Sequence, residues 1–318
     1  MAVEDIKGVG AKTADKLKEK GITTVKSLAK SRKQTLTDEV GLGGGTADKI
    51  LQNAREELRT HGTGYTRGDT LADKRNKLKK IDTGSIGVNK ILGGGIPTGY
   101  ITELYGKFGT GKSQIAMQLA VNTQKPVDEG GLGKKAIYID TEHSYLPSRL
   151  EEIAKHSGVD TDKVHENVFI SQPIDSDHLS EVVKNAKSLC ANEDIGLIIV
   201  DSIIAPFRSD YTGRDELPER QNHMGSVITD LKQLIRTHDV AVVYTNQVMD
   251  NPDGNPYTQD VKPLGGNVLA HNSAFRIKLE NRQSKGFAAR LEDSPGLPPQ
   301  TKRFRIDESG ISTHDEDR

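Results

Sequence analysis

From Ile81 onward, short aliphatic runs alternate with longer stretches in which apolar residues return every three or four positions. The short runs cover 101–105, 136–140, 167–171, 197–201 and 241–246 and predict strands. The longer ones cover 114–122, 147–156, 179–191 and 216–238 and predict helices. Such alternation implies a mostly parallel sheet with helices on both faces and ligands at the carboxyl ends of the strands. Three closely spaced later runs, 274–279, 287–292 and 303–306, read as an antiparallel extension.

The first sixty residues are patterned differently and contain an internal repeat. Gly8-Val9-Gly10-Ala11-Lys12-Thr13-Ala14-Asp15-Lys16-Leu17 matches Gly41-Leu42-Gly43-Gly44-Gly45-Thr46-Ala47-Asp48-Lys49-Ile50. In each copy the glycines predict the end of one helix and the Thr the start of the next, with Ala and the aliphatic residue facing inward. This resembles the helix-hairpin-helix motif, whose glycine turn offers backbone N–H groups to a DNA phosphate without reading sequence. Lys7, Lys12 and Lys16 would add charge. The alternative is a small helical domain that uses its glycines only to turn, or that binds protein.

Residues 61–80 read as a linker: 61–68 is polar and glycine-containing around one aromatic, Tyr65, and 71–80 is strongly charged. An isolated aromatic is costly to leave in water, so Tyr65 is expected to anchor on a surface, its own domain's or another's. The chain thus parses into a helical domain at 1–60, the linker, an α/β core at 81–311, and a polar, acidic tail at 312–318 expected to be disordered.

Net charge is −1, so any nucleic-acid contact must come from a local basic patch. The single cysteine, Cys190, excludes an intramolecular disulfide and a multi-cysteine zinc site, and reads as a buried thiol in a helix. The N-terminus lacks an apolar signal segment and no run approaches membrane-spanning length, which reads as a soluble, cytosolic protein without a membrane partner.

The strongest chemical signal is Gly106-Lys107-Phe108-Gly109-Thr110-Gly111-Lys112-Ser113, a complete G-x-x-x-x-G-K-[ST] loop between a predicted strand and a predicted helix that begins near Gln114. The glycines let backbone N–H groups converge on phosphates, and the helix N-terminus adds partial positive charge. Lys112 would reach the β- and γ-phosphates and the Ser113 hydroxyl would ligate Mg²⁺. Asp201, closing the aliphatic run 197–201, would hold the Mg²⁺ through water. Glu142, after the run ending at Asp140, could orient and deprotonate the attacking water; a turn carboxylate or helix cap is the bland alternative. Asn246 and Gln247 close the run 241–246, and an amide there could sense the γ-phosphate. The segment 248–264 that follows, with Pro252, Gly254, Pro256 and Pro263, shows no helical or strand periodicity and reads as a long loop. A second loop follows Asp201, where Arg208, Arg214 and Arg220 recur every six residues around Tyr211. They could line a groove that tracks a nucleic-acid backbone, or be scattered surface arginines.

These motifs, with Ile91-Leu92-Gly93-Gly94-Gly95-Ile96 and Gly265-Gly266, make the chain from about Ile6 to Ile306 resemble the archaeal RadA recombinases, of the RecA-like strand-exchange ATPases. The resemblance implies a RecA-like P-loop core, with ATP and Mg²⁺ as cofactors and ATP hydrolysed to ADP and phosphate. It implies self-association into a helical filament or ring on single-stranded DNA, exchange with a homologous duplex, and a nucleoid-associated, cytoplasmic setting. Lys112, Glu142 and Gln247 would be catalytic. Residues 106–114, Gln114 included, would bind nucleotide with Asp201, Arg149 packing on the adenine, and His271 and Asp293 reaching a neighbouring subunit's nucleotide. Arg208, Tyr211, Arg214, Arg220, Gly265 and Gly266 would contact DNA. Tyr65 and Gly68 would dock the linker onto the adjacent protomer. Three positions depart from the family pattern: Tyr65 stands for Phe, Lys107 for an acidic residue, and Leu146 for Arg. A mediator paralogue that binds ATP without exchanging strands, a DNA scaffold in which ATP is structural, and a hexameric helicase on the same core are the alternatives.

Overall fold

The strand-like runs become neighbouring strands in a computed structural model that describes residues 2–60, 68–213, 215–250, 261–282 and 286–317. The chain divides into two compact units, one made of residues 1–78 with 184–194 and 236–238, the other of 79–183, 195–235 and 239–318.

In the first unit the sequence repeat is a structural repeat. Gly8 and Gly41 take φ of 95° and 70°, a left-handed turn that glycine adopts without steric cost. Two residues on, the Gly10 carbonyl accepts from Thr13 and Ala14, and the Gly43 carbonyl from Thr46 and Ala47, all at 2.9 Å. Helices α1 (Ala11–Glu19) and α3 (Gly44–Thr60) start there, with α2 (Val25–Lys30) between them. Thr24 caps α2 by accepting from the Ser27 N–H at 3.0 Å. Ala14, Leu17, Ala47 and Ile50 are all buried in one apolar cluster with Val3, Leu28 and Leu36, as the inner-face reading required.

Part of the expected linker is helical. Residues 68–76 form α4 (Gly68–Asn76), started by Asp69 in its first turn and built from helix-forming Leu, Ala, Lys and Arg. Gly68 is its first residue. Tyr65 lies outside the described residues.

The second unit opens with β1 (Lys80–Ile81), α5 (Ile86–Ile91) and β2 (Ile96–Pro97), where β1 and β2 pair antiparallel. Then come β3 (Ile101–Gly106), α6 (Lys112–Asn122), β4 (Lys135–Asp140), α7 (Pro147–Ser157), β5 (Val168–Ser171) and α8 (Ser176–Asn192). They are followed by β6 (Ile195–Asp201), α9 (Ala205–Asp210), α10 (Leu217–His238) and β7 (Ala241–Asn246). The chain continues through β8 (Val248–Asp250), β9 (Val261–Pro263) and α11 (Gly266–Ala270). It ends on β10 (Phe275–Asn281), β11 (Phe287–Asp293), β12 (Gln300–Asp307) and β13 (Gly310–Thr313). The main sheet has the order β13-β12-β11-β10-β3-β7-β6-β4-β5. Pairing is parallel from β10 through β5 and antiparallel from β10 out to β13. β3, β6 and β7 are buried along their whole length; β6 reads as a near-continuous aliphatic run, whereas β3 also buries Thr102 and Glu103 and β7 buries Thr245 and Asn246.

Three expectations need correction. Segment 248–264 is not loop throughout: its ends pair as β8 with β9, and the Leu264 N–H closes the hairpin on the Gln247 carbonyl at 2.9 Å. The tail is ordered through Asp317. Ser312 lies in β13, and Asp317, Glu316 and Asp315 pair with Lys302, Arg303 and Arg305 of β12, so its acidity meets a basic strand rather than water alone. Cys190 is only partly buried.

The antiparallel extension matters to the site because β12 stands behind the glycine loop. Phe304 is fully buried, stacks on Phe287 at 5.6 Å between ring centroids, and lies with Ile306 against Gly111. Phe304→Ala should destabilise this unit by about 3–5 kcal/mol through the cavity it leaves, read as a lowered denaturant midpoint.

Candidate nucleotide and nucleic-acid site

The glycine loop runs from the last residue of β3 into α6 and is shaped by two glycines. A Cβ on Gly106 would lie 2.4 Å from the Leu279 carbonyl oxygen, and one on Gly111 would lie 2.5 Å from Ile306 Cδ1. Gly111 also takes φ of 91°, so no other residue fits it without strain. The loop is closed by Thr110 Oγ1 donating to the Lys107 carbonyl at 2.8 Å, and Phe108 at its tip is fully exposed. Lys112 Nζ crosses the loop, donating to the carbonyls of Gly106 at 3.0 Å and Lys107 at 2.9 Å. Partial burial lowers the Lys112 pKa, and the carboxylates of Asp201 and Glu142 oppose that shift.

Strand order brings the other groups to this loop. The register sets Tyr105 of β3 beside Asn246 of β7, Val200 of β6 beside Tyr244 of β7, and Asp201 beside Asp140 of β4. The residues that follow these strand ends therefore share one edge, and a cavity of about 800 Å³ is lined by residues 106–114 with Glu142, Ser144, Asp201 and Gln247.

Asp201 is buried and held by three hydroxyls. Tyr138 Oη donates to its Oδ2 at 2.8 Å, Ser144 Oγ to Oδ2 at 3.1 Å, and Thr245 Oγ1 to Oδ1. The same burial, with the Asp201 charge, pushes the Tyr138 phenol well above its usual pKa, so it remains a donor. Asp140, also buried, is occupied differently. It accepts from the Ser144 N–H at 2.9 Å, the Tyr145 N–H at 3.1 Å and Gln172 at 3.1 Å, and so folds the turn that carries Glu142. Of the two acids in that motif, Glu142 faces the cavity. Its Oε1 accepts from Ser202 Oγ and from Gln247 Nε2, each at 2.7 Å, and Gln247 Oε1 accepts from Arg208 Nη1 at 2.8 Å.

The arginine series does not share one loop. Arg208 sits on α9, Arg220 in the first turns of α10, and Arg214 lies outside the described residues. Arg220 already fell in the predicted helix 216–238, and only α9 was hidden, being a single short helix of six residues. The turn between α9 and α10 is fastened at several points. Asp210 Oδ2 accepts from the Ser176 N–H at 2.7 Å and its hydroxyl at 2.5 Å, and Glu216 accepts from the Gly213 N–H at 2.7 Å. Tyr211 Oη bonds His223 Nδ1 at 3.0 Å, while His223 Nε2 bonds Ser180 Oγ at 2.8 Å. His223 was not singled out in the sequence; it lies on α10, 12 residues after Tyr211, where no local pattern reveals its shared contact with Phe207 and Tyr211.

Other candidates fall apart from the cavity lining. Arg149 Nε donates to Gln114 at 2.9 Å and its Nη atoms donate to the carbonyls of Asp307 and Glu308, tying α7 to the β12–β13 turn. Leu146 is the exposed N-cap residue of α7. His271 ends α11, and Asp293 ends β11. Gly265 and Gly266 start α11 with φ of 84° and 58°. Buried Glu103 anchors this region: it accepts from Arg276 at 2.7 Å and from Asn246 at 2.8 Å, and the Asn246 amide also donates to the Leu264 carbonyl at 2.7 Å. Among the described residues no three or more His, Cys, Asp or Glu side chains cluster as a metal cage, and no helix is long and apolar enough to cross a membrane.

Compared with known families, residues 74–314 match the model described as Rad51, and residues 1–56 match the SAM-like helix-hairpin-helix tandem.

His223→Ala should loosen the turn it fastens. Faster amide hydrogen exchange is expected across 210–213, with exchange in β6 and β7 unchanged, as read by mass spectrometry.

Proposed function

The chain belongs to the Rad51 family, which gives it a role in DNA recombination and repair and a nucleotide-dependent activity, and from that premise we propose that it is an ATP-driven strand-exchange recombinase. In this reading it assembles as a filament or ring on single-stranded DNA, pairs the strand with a homologous duplex and exchanges strands. Within that family, the similarity of its motifs to those of the archaeal RadA recombinases supports reading it as one of them. Tyr65 and Gly68 dock successive protomers, and His271 and Asp293 reach the neighbour's nucleotide.

The carrying observation is that Lys112, Ser113, Gln247, Asp201 and Glu142 line one cavity, drawn from four adjacent strand ends. The residues fit a magnesium nucleotide. Gly106 and Gly111 let the loop close onto Leu279 and Ile306 where a Cβ would collide, and a serine hydroxyl with one carboxylate is the sparse protein donor set Mg²⁺ takes when phosphates supply the rest. When bound, Mg²⁺ neutralises charge that develops on the phosphates. Lys112 and the loop N–H groups hold the phosphates, with Arg149 at the base. The hydroxyls of Tyr138, Ser144 and Thr245 fix the Asp201 carboxylate so that it need not reorganise. Glu142 orients a water and takes its proton, the step for which a carboxylate at the cavity wall is suited.

DNA contact falls to Arg208, Tyr211, Arg214 and Arg220 and to Gly265 and Gly266 at the end of the second loop, with the helix-hairpin-helix turns adding sequence-independent phosphate contacts.

Glu142→Gln should lower ATP hydrolysis by about 10²–10⁴-fold while ATP-dependent filaments still form on single-stranded DNA. Phosphate release and electron microscopy on the same samples check this, and loss of filaments together with hydrolysis would remove Glu142 from the role. Replacing Arg208, Arg214 and Arg220 together with Ala should reduce the slope of log affinity against log salt for single-stranded DNA by about 2. An unchanged slope would take these arginines out of the DNA site.

A further inference from the structure

Two side chains, Gln247 and Arg208, connect the proposed hydrolytic carboxylate to the proposed DNA surface without a gap. Arg208 Nη1 donates to Gln247 Oε1, and Gln247 Nε2 donates to Glu142 Oε1, at 2.8 and 2.7 Å. Ser202 Oγ donates to the same Glu142 oxygen at 2.7 Å. A carboxylate oxygen offers two lone pairs, so Oε1 is fully occupied and a water on Glu142 is left only Oε2.

The direction of the amide is set by its partners. Arginine can only donate and an ionised carboxylate can only accept. Turning the Gln247 amide over would point its NH₂ at Arg208 and its carbonyl at Glu142, placing donor on donor and acceptor on acceptor. As long as Arg208 stays, Gln247 therefore keeps its NH₂ on Glu142. The guanidinium is also not free to drift with a loose loop. It is presented from α9, whose last residue, Asp210, is bonded to the start of α8, and the next residue, Tyr211, to His223.

We infer that Arg208 is a positioning residue for Glu142, acting through Gln247, and that a DNA phosphodiester which takes Arg208 releases the amide and opens Oε1 of Glu142 to water. The competition favours the phosphodiester, because a guanidinium–phosphate hydrogen bond is charge-assisted on both sides whereas the bond to Gln247 is to a neutral carbonyl. DNA would then raise hydrolysis by lifting a restraint, using the arginine that binds it. This inference rests on the roles proposed above for Glu142 and Arg208.

The test is steady-state ATP hydrolysis by the full chain, without DNA and with saturating poly(dT), for wild type, Arg208→Ala and Arg208→Lys. Binding of a fluorescent ATP analogue is measured on the same preparations. Arg208→Ala should hydrolyse ATP about 3- to 10-fold faster than wild type in the absence of DNA, the worth of roughly one neutral hydrogen bond, with nucleotide affinity unchanged. Arg208→Lys keeps a cationic donor and should give a DNA-free rate below that of Arg208→Ala. A DNA-free rate in Arg208→Ala equal to or below wild type overturns the proposal. Glu142→Gln run alongside separates the two levels: if it abolishes hydrolysis while Arg208→Ala leaves the DNA-free rate unmoved, the site stands and only the restraint falls. If Glu142→Gln hydrolyses ATP normally, the assignment of Glu142 fails and this proposal fails with it.

Discussion

The site depends first on parallel pairing in one order. Parallel strands carry their carboxyl ends at the same edge of the sheet, and here β7 lies between β3 and β6, with β4 on the far side of β6. That order puts Gln247 between the glycine loop and Asp201, and Glu142 just beyond. No two of these groups are close in sequence. Their meeting is a consequence of neighbouring strands that are buried almost along their whole length and paired in a fixed register, Tyr105 with Asn246 and Asp140 with Asp201.

On that frame, burial of charge is handled by saturation. Asp201 and Glu103 sit where an ionised carboxylate is expensive, and each is surrounded by donors: hydroxyls for Asp201, an arginine and an amide for Glu103. The two sets do different work. The hydroxyls around Asp201 hold a carboxylate that still faces the cavity. Glu103 faces no ligand; it pins Asn246 and, through the Leu264 carbonyl, both ends of the second loop. Asn246 is thus an anchor, and its neighbour Gln247 is the amide that faces the site.

The antiparallel strands contribute by backing. β12 presses Phe304 and Ile306 onto Gly111, and β10 passes the Leu279 carbonyl so close to Gly106 that only glycine fits. The phosphate loop is consequently shaped from behind by strands far along the chain. The same hairpin, through the carbonyls of Asp307 and Glu308, receives Arg149, while the acidic residues 315–317, expected in a free tail, pair with Lys302, Arg303 and Arg305 of β12.

Much of this was legible in the sequence, because some signals are local. A glycine loop between a strand and a helix, an aliphatic run closed by Asp201, and a ten-residue repeat with glycines at fixed offsets each depend on backbone geometry within a few residues, and periodicity reports burial directly. Helix α4 and the short pairing of β8 with β9 escaped because few residues in either are buried to leave a pattern. Which of Asp140 and Glu142 faces the cavity, how Arg208 comes to touch Gln247, and why His223 holds Tyr211 could not be read from spacing. Those are contacts between elements distant in the chain, and only strand order and helix packing choose the partners. The sequence by itself determined what chemistry each strand end could carry; the tertiary structure decided which of those groups meet, because hydrogen bonds act over about 3 Å and sequence distance says nothing about who is that near.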